Sequence, residues 1–319
     1  MTEHSELLVE ECIEFIDNHQ QELRAQSTKY RLDQVLRGML QCAPNAAGKR
    51  YAAKVLHAAI RQGLPSVKTV AQSWVDGLLL PVLALSRRAA TEQPRTPIVD
   101  ETALGIQNAD WTEEQKLRAL VAFREEYRCA ISGAFDADCV VPYGKLNKTV
   151  PAAPQLNMNA ARILPLAFDG VDNRELRDIL EAWTGVDIQS LAGPRNCINM
   201  STQEHRAFAR FEFLLTAQSE PGRYTAHMLH PARRFSNGRA ATQVSFRAKA
   251  ASGVDPPDPE LIAAHAALAR VLELCGVAEW VDGVEREREE GGMLRGDGGT
   301  DLGAIIQMGL VVSARRGEV

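Results

Sequence analysis

The chain has 319 residues, 45% of them hydrophobic and 24% charged, with a net charge of -5. That is ordinary globular composition with enough apolar content for a large core, and it excludes a collagenous, low-complexity or wholly disordered chain. The mildly acidic balance speaks against a dedicated nucleic-acid binder, whose surface carries a basic surplus.

The six cysteines, Cys12, Cys42, Cys129, Cys139, Cys197 and Cys275, are scattered, with no Cys-x-x-Cys pair, and no secretory leader is expected. Reduced thiols and a cytoplasmic location are therefore expected. Apolar runs such as "GLLLPVLAL" at 77–85 carry Pro81 and are too short to span a bilayer, so no membrane partner is expected.

Residues 1–95 read as an N-terminal helical region. "SELLVEECIEFIDNH" places Leu8, Cys12, Ile13, Phe15 and Ile16 near helical spacing, with acidic residues early, as the helix dipole prefers. "GKRYAAKVLHAAIRQG" has Tyr51, Val55, Leu56, Ala59 and Ile60 on one side and Gly63 as a stop. "SVKTVAQSWVDGLLLPVLALSRRA" predicts a further helix, broken or kinked near Gly77 and Pro81. "TEQPRTPIVD" at 91–100, with two prolines, is the best linker.

Residues 100–250 form a second region of mixed character. "DWTEEQKLRALVAFREEYRC" opens on a cap at Asp110 or Thr112 and continues as a helix through Leu117, Leu120, Val121 and Phe123. "CAISGAFD" reads as a short strand and a turn pivoting on Gly133. "NAARILPLAF" at 159–168 is an apolar strand with Arg162 at its centre, and "DNRELRDILEAWTG" is a helix. "NCINMSTQEHRAFARFEFLL" predicts a strand, a cap at Ser201 or Thr202, and a helix carrying His205, Phe208, Phe211 and on toward Leu214. "RYTAHMLH" and "ATQVSFRAKA" flank the turn-rich "SNGR" as a hairpin. After the Pro-rich "SGVDPPDPE", residues 255–290 predict one or two C-terminal helices packing on the core, and 291–319 a flexible tail.

Three ordered blocks of this middle region carry a pattern. Cys129, Ser132 and Gly133 form the first; Ala160, Ala161, Ile163 and Pro165 the second; Asn196 and, nine residues on, His205 the third. Together they resemble the HNH nuclease-domain family in the form common in fungal genomes, where Cys-x-x-Thr/Ser-Gly, Ala-Ala-His-Ile-x-Pro and Asn-x8-His recur in that order. The resemblance covers roughly residues 100 to 285 and implies an α+β fold: an HNH-like ββα core embedded in a mainly helical protein with N-terminal and C-terminal helices.

The departure lies at the family's central histidine, which is Arg162 here. The resemblance implies that this imidazole takes a proton from the attacking water beside one divalent metal. Arginine stays protonated and has no acceptor lone pair, so it cannot serve as that base. Loss of a general base costs about 100- to 10,000-fold, and a guanidinium repels the cation. One alternative is a decayed site, with Arg162 filling space or pairing with a carboxylate such as Asp169. The other is a kept pocket with changed chemistry, in which Arg162, His205 and Asn196 converge on an anionic or carbonyl-bearing ligand and Asn199, Asp169 and Arg195 help to bind it.

A second signal concerns partners: from Arg195 to Lys249 nine Lys or Arg face three acids. This fits a phosphate-facing surface or a hairpin edge guarded by charge. The reading that follows is a metal-free, cofactor-free scaffold acting on a small organic substrate by a cyclase- or isomerase-type or proton-transfer step, in a setting such as fungal secondary metabolism. The alternative is a nucleic-acid-binding pseudonuclease or a weak metal-dependent HNH endonuclease. A small-molecule substrate is expected before nucleic acid, and homo-oligomerisation is left open.

Overall fold

A computed structural model describes residues 3–25, 29–91, 103–108, 110–145, 149–165, 174–246 and 253–289. The expected linker (all but its first residue), Asp169 and the tail at 291–319 lie outside the described residues. The elements run α1 (Glu3–Asn18), α2 (Gln20–Arg24), α3 (Leu32–Gln41), α4 (Ala46–Ile60), α5 (Leu64–Trp74), α6 (Leu80–Thr91), α7 (Ala103–Asn108) and α8 (Glu113–Arg124). Then come β1 (Phe135–Asp136), α9 (Val140–Lys145), β2 (Gln155–Leu156), β3 (Met158–Arg162), α10 (Arg174–Thr184), β4 (Cys197–Ser201) and α11 (Thr202–Ala209). The chain continues through β5 (Phe213–Ala217), β6 (Arg223–Met228), β7 (Ala241–Ser245), α12 (Pro259–Cys275) and α13 (Val277–Glu289). The class is α+β, mainly helical with small sheets.

Contacts divide the chain into two interleaved units: residues 1–85, 167–186 and 267–319 in the first, 86–166 and 187–266 in the second. The first is helical. Its α1 buries Val9, Cys12 and Ile16 at helical spacing, while Leu8, Ile13 and Phe15 are only half-buried, so the buried stripe is rotated from the expected one. Helix α10, which the sequence groups with the middle region, packs here: Trp183 is fully buried and its indole N–H donates to the Met39 carbonyl at 2.9 Å.

Helix α5 runs into α6 through a π-turn, Val75–Leu79. The Leu80 N–H donates to Val75, five residues back, just ahead of Pro81. The wider turn accommodates a ring that would clash with the carbonyl four residues earlier and a nitrogen that has no proton to give. The expected break is thus a bulge in a continuous helix. Leu64–Ala90 is long and apolar enough to cross a membrane, with mean hydropathy 1.3, yet 61% of its most apolar window is buried, as in the core helix of a globular protein.

The second unit carries the strands. β3 pairs antiparallel with β4, Arg162 opposite Cys197 and Ala160 opposite Asn199. β5, β6 and β7 form an antiparallel meander, and β1 and β2 a short parallel pair. Helix α11 stops at Ala209, short of the expected span to Leu214. Phe211 takes a left-handed φ of 57°, Glu212 N–H reaches back to the Ala207 carbonyl, and the aromatic "FEFLL" continues as β5. The C-terminal segment resolves into two helices bent by 74° at Gly276, whose φ of 77° closes α12.

Candidate functional site

Alternation along β3 puts Arg162 on the same face as Ala160 and Met158, and cross-strand pairing adds Cys197 and Asn199 to that face. Helix α8 covers it, Leu117 and Val121 packing on Ala160 and Cys197. Of the two caps the sequence offers, Asp110 and Thr112, the helix uses the second: Thr112 Oγ1 accepts from the Gln115 N–H, and the Gln115 side chain accepts from the Thr112 N–H. Glu114, Leu117, Arg118 and Val121 then form one i, i+3, i+4, i+7 stripe over the hairpin.

That stripe supplies the partner of Arg162. Its Nη2 donates to Glu114 Oε2 at 2.5 Å, while Arg118 Nε donates to Glu114 Oε1 at 3.1 Å. One carboxylate therefore holds two guanidiniums, and Arg118 is buried. Arg162 Nη1 is buried with no hydrogen-bond partner. The sequence names Asp169 as the pairing carboxylate and passes over Glu114 and Arg118. Only the α8 stripe hints at them.

The other expected site residues do not join Arg162 in one cleft. Asn196 is fully buried and its amide is spent on the backbone: Oδ1 accepts from the Leu164 N–H at 2.9 Å, and Nδ2 donates to the Leu164 and Leu191 carbonyls. It braces the exit of β3. Asn199 does similar work at the other end, donating to the Arg128 carbonyl at 2.9 Å while its own carbonyl accepts from the Ala130 N–H. This pins the Cys129–Gly133 turn to β4; within the turn Gly133, at φ 76°, donates to the Cys129 carbonyl. Arg195 is half exposed and bonds Asp258 at 2.5 Å.

His205 lies on α11, behind the Ser201 cap, and is buried. Its Nδ1 has no partner. Burial pushes its pKa down to about 4, and the Arg118 and Arg206 guanidiniums push the same way. The ring is therefore neutral at pH 7, but two cations stand near it.

The donor set does not fit the divalent metal that the HNH resemblance implies. Arg162 and Arg118 are cations, the Asn196 amide is committed to carbonyls and an N–H, and among the described residues no group of three His, Cys, Asp or Glu could hold a metal ion. What the arrangement offers is a cavity of about 710 Å³ lined by Arg162, Glu113, Glu114, Lys116, Gln107 and the Gly193 backbone, among others. His205, Asn196 and Asn199 lie outside its lining. The chain matches no protein-family model, no curated protein and no solved structure.

Proposed function

We propose that the chain is an HNH-like scaffold released from phosphodiester hydrolysis and turned to a small organic molecule bound in the Arg162 cavity. The β3–β4 pairing, the helix α11 that follows it and the Cys129–Gly133 turn support the HNH-like part of this reading. The observation that carries the rest is the placement of Arg162. It lines a cavity within the roughly 300–1,000 Å³ range of small-molecule sites, beside Lys116 and beside a carboxylate that a ligand can replace.

A ligand carboxylate or other planar anion would exchange with Glu114 at the Arg162 fork, drawing further charge from Lys116. Glu114, once released, is a carboxylate within the same cavity. A non-hydrolytic step of the isomerisation, cyclisation or proton-transfer kind would use it to hold and return a proton, since His205 lies outside the lining.

Two measurements test this. Incubated with duplex DNA and magnesium, the protein should not cleave, and Arg162→His should not restore cleavage because the Arg118 charge still acts on His205 and opposes a cation there. Robust magnesium-dependent cutting by the unaltered chain would overturn the reading. In thermal-shift titrations with a panel of small aromatic and aliphatic carboxylates, Arg162→Ala should weaken binding by about tenfold, the scale of one charged hydrogen bond. Arg162→Lys should also suffer, since it keeps the charge and loses the fork. Full binding by both variants would make Arg162 a structural relic.

A further inference from the structure

The second unit has another concavity, of about 920 Å³, built between α11 and the turn that follows β6. Four arginines line it, two from each side. Arg206 and Arg210 stand one helical turn apart on and just past α11, and Arg233 and Arg234 sit on the turn. The two sides are tied together at both ends. Glu204, buried at the start of α11, accepts from the Ser236 N–H at 2.7 Å. Glu212 accepts from Arg233 and lies 3.5 Å from Arg210, bridging the arms.

Those two glutamates balance half of the charge, since four guanidiniums against two carboxylates leave a surplus of two. Arg206 is exposed and makes no ion pair among the described residues. Arg234 spends one nitrogen on the Pro231 and Arg233 carbonyls, which fixes the guanidinium without neutralising it. Leu156 and Met228 add apolar surface to the lining. A prebuilt cavity with forked cations on opposite walls and apolar surface between them suits an organic anion with clustered charge. Its volume and the facing of two arginine pairs across a short span suit a compact anion that carries several charges close together.

We propose that this groove binds a compact polyphosphorylated small molecule, with phosphates held by Arg206 and Arg234 and positioned by the Glu212-linked pair. It is a site separate from the Arg162 cavity. Calorimetric titration of the full chain with inorganic tripolyphosphate and with ATP tests it. Saturable 1:1 binding of both is expected, weakened by added salt and by about tenfold for each of Arg206→Ala and Arg234→Ala. Arg206→Lys and Arg234→Lys, at exposed positions where folding is not at stake, should give a smaller loss, because charge stays while the fork goes. Arg162→Ala should leave this binding unchanged, so that failure here and failure of the function proposed above read out separately. Absence of saturable binding, equal binding by the alanine variants, or tighter binding of a single-stranded oligonucleotide that displaces tripolyphosphate would each overturn the proposal.

Discussion

Glu114 stands between two arginines, and the three residues do not share the risk equally. Removing Arg162 leaves Glu114 half exposed and still bonded to Arg118. Removing the charge on Glu114 takes the shared carboxylate from two largely buried guanidiniums at once. Breaking a buried ion pair by removing one partner costs about 3–5 kcal/mol, and the exposure of Glu114 discounts that toward about 2. Glu114→Gln should therefore destabilise the protein by about 2 kcal/mol and Arg162→Met by less than half of that, read from urea midpoints at constant slope. Equal losses would mean that Arg118 has another sufficient carboxylate. The sequence makes part of this legible. Arg162 is conspicuous on its strand, and Glu114 falls on the apolar stripe of α8. Nothing local, however, joins two residues 48 positions apart, and proximity along the chain draws attention to Asp169 instead, which lies outside the described residues. Asn196 and Asn199 mislead for a related reason. Their side chains look free in the sequence, but buried backbone groups at the strand ends claim them.

At the scale of elements, two glycines that look alike in the sequence differ in what they permit. A Cβ on Gly48 would lie 1.8 Å from the Trp183 carbonyl oxygen, where α10 crosses α4. A backbone atom cannot step aside, so Gly48→Ala should cost about 2 kcal/mol or more despite the gain of about 1 kcal/mol in helix propensity. At Gly77, inside the π-turn, the nearest atoms are the carboxyl end of Glu175 at 2.9 Å and the tip of Ile179 at 3.0 Å. Both are ends of flexible side chains, so Gly77→Ala should fall within about 1 kcal/mol of neutral. Thermal midpoints of the two variants decide the matter, and a tolerated Gly48→Ala would mean that α10 does not sit as described. Helix α3 shows why sequence reading passes over some elements. Its apolar residues, Leu32, Val35, Leu36 and Met39, are at helical spacing, but Gly38 interrupts them, and the reason for that glycine is an approach to Val271 more than two hundred residues away. The elements that read well, α8 with its Thr112 capping box and the β6–β7 pairing, are those whose signals are local.

For the whole molecule, the buried histidines set how stability responds to acid. His205 and His265 are held neutral, with pKa pushed down by burial to about 4 and about 3. His265 lies between the rings of Phe208 and Phe211, 3.7 and 4.5 Å away, with Nε2 against the Phe208 carbonyl. In the unfolded chain both rings titrate near 6.5. Above that pH neither state binds the proton and the histidines have no effect. As pH falls below it the unfolded state takes up protons that the folded state refuses, so stability is lost from about pH 6.5 downward and the loss levels off only below the folded values. At pH 5 the loss depends on the unfolded pKa alone, about 1.5 units per ring, or about 2 kcal/mol each. Asp136 works the other way. Burial raises its pKa to about 6, so it contributes stability that grows as pH falls through 6 toward its unfolded value, offsetting part of the histidine loss below pH 6. The stack gives a clean test. His265→Phe keeps an aromatic ring between Phe208 and Phe211 and removes the proton site. The variant should match the parent within about 1 kcal/mol at pH 7.5, the worth of the one lost hydrogen bond, and gain on it by about 2 kcal/mol at pH 5. Urea midpoints at pH 7.5, 6 and 5 measure both. Parallel profiles would show that His265 takes up its proton in the folded state and that acid sensitivity arises elsewhere.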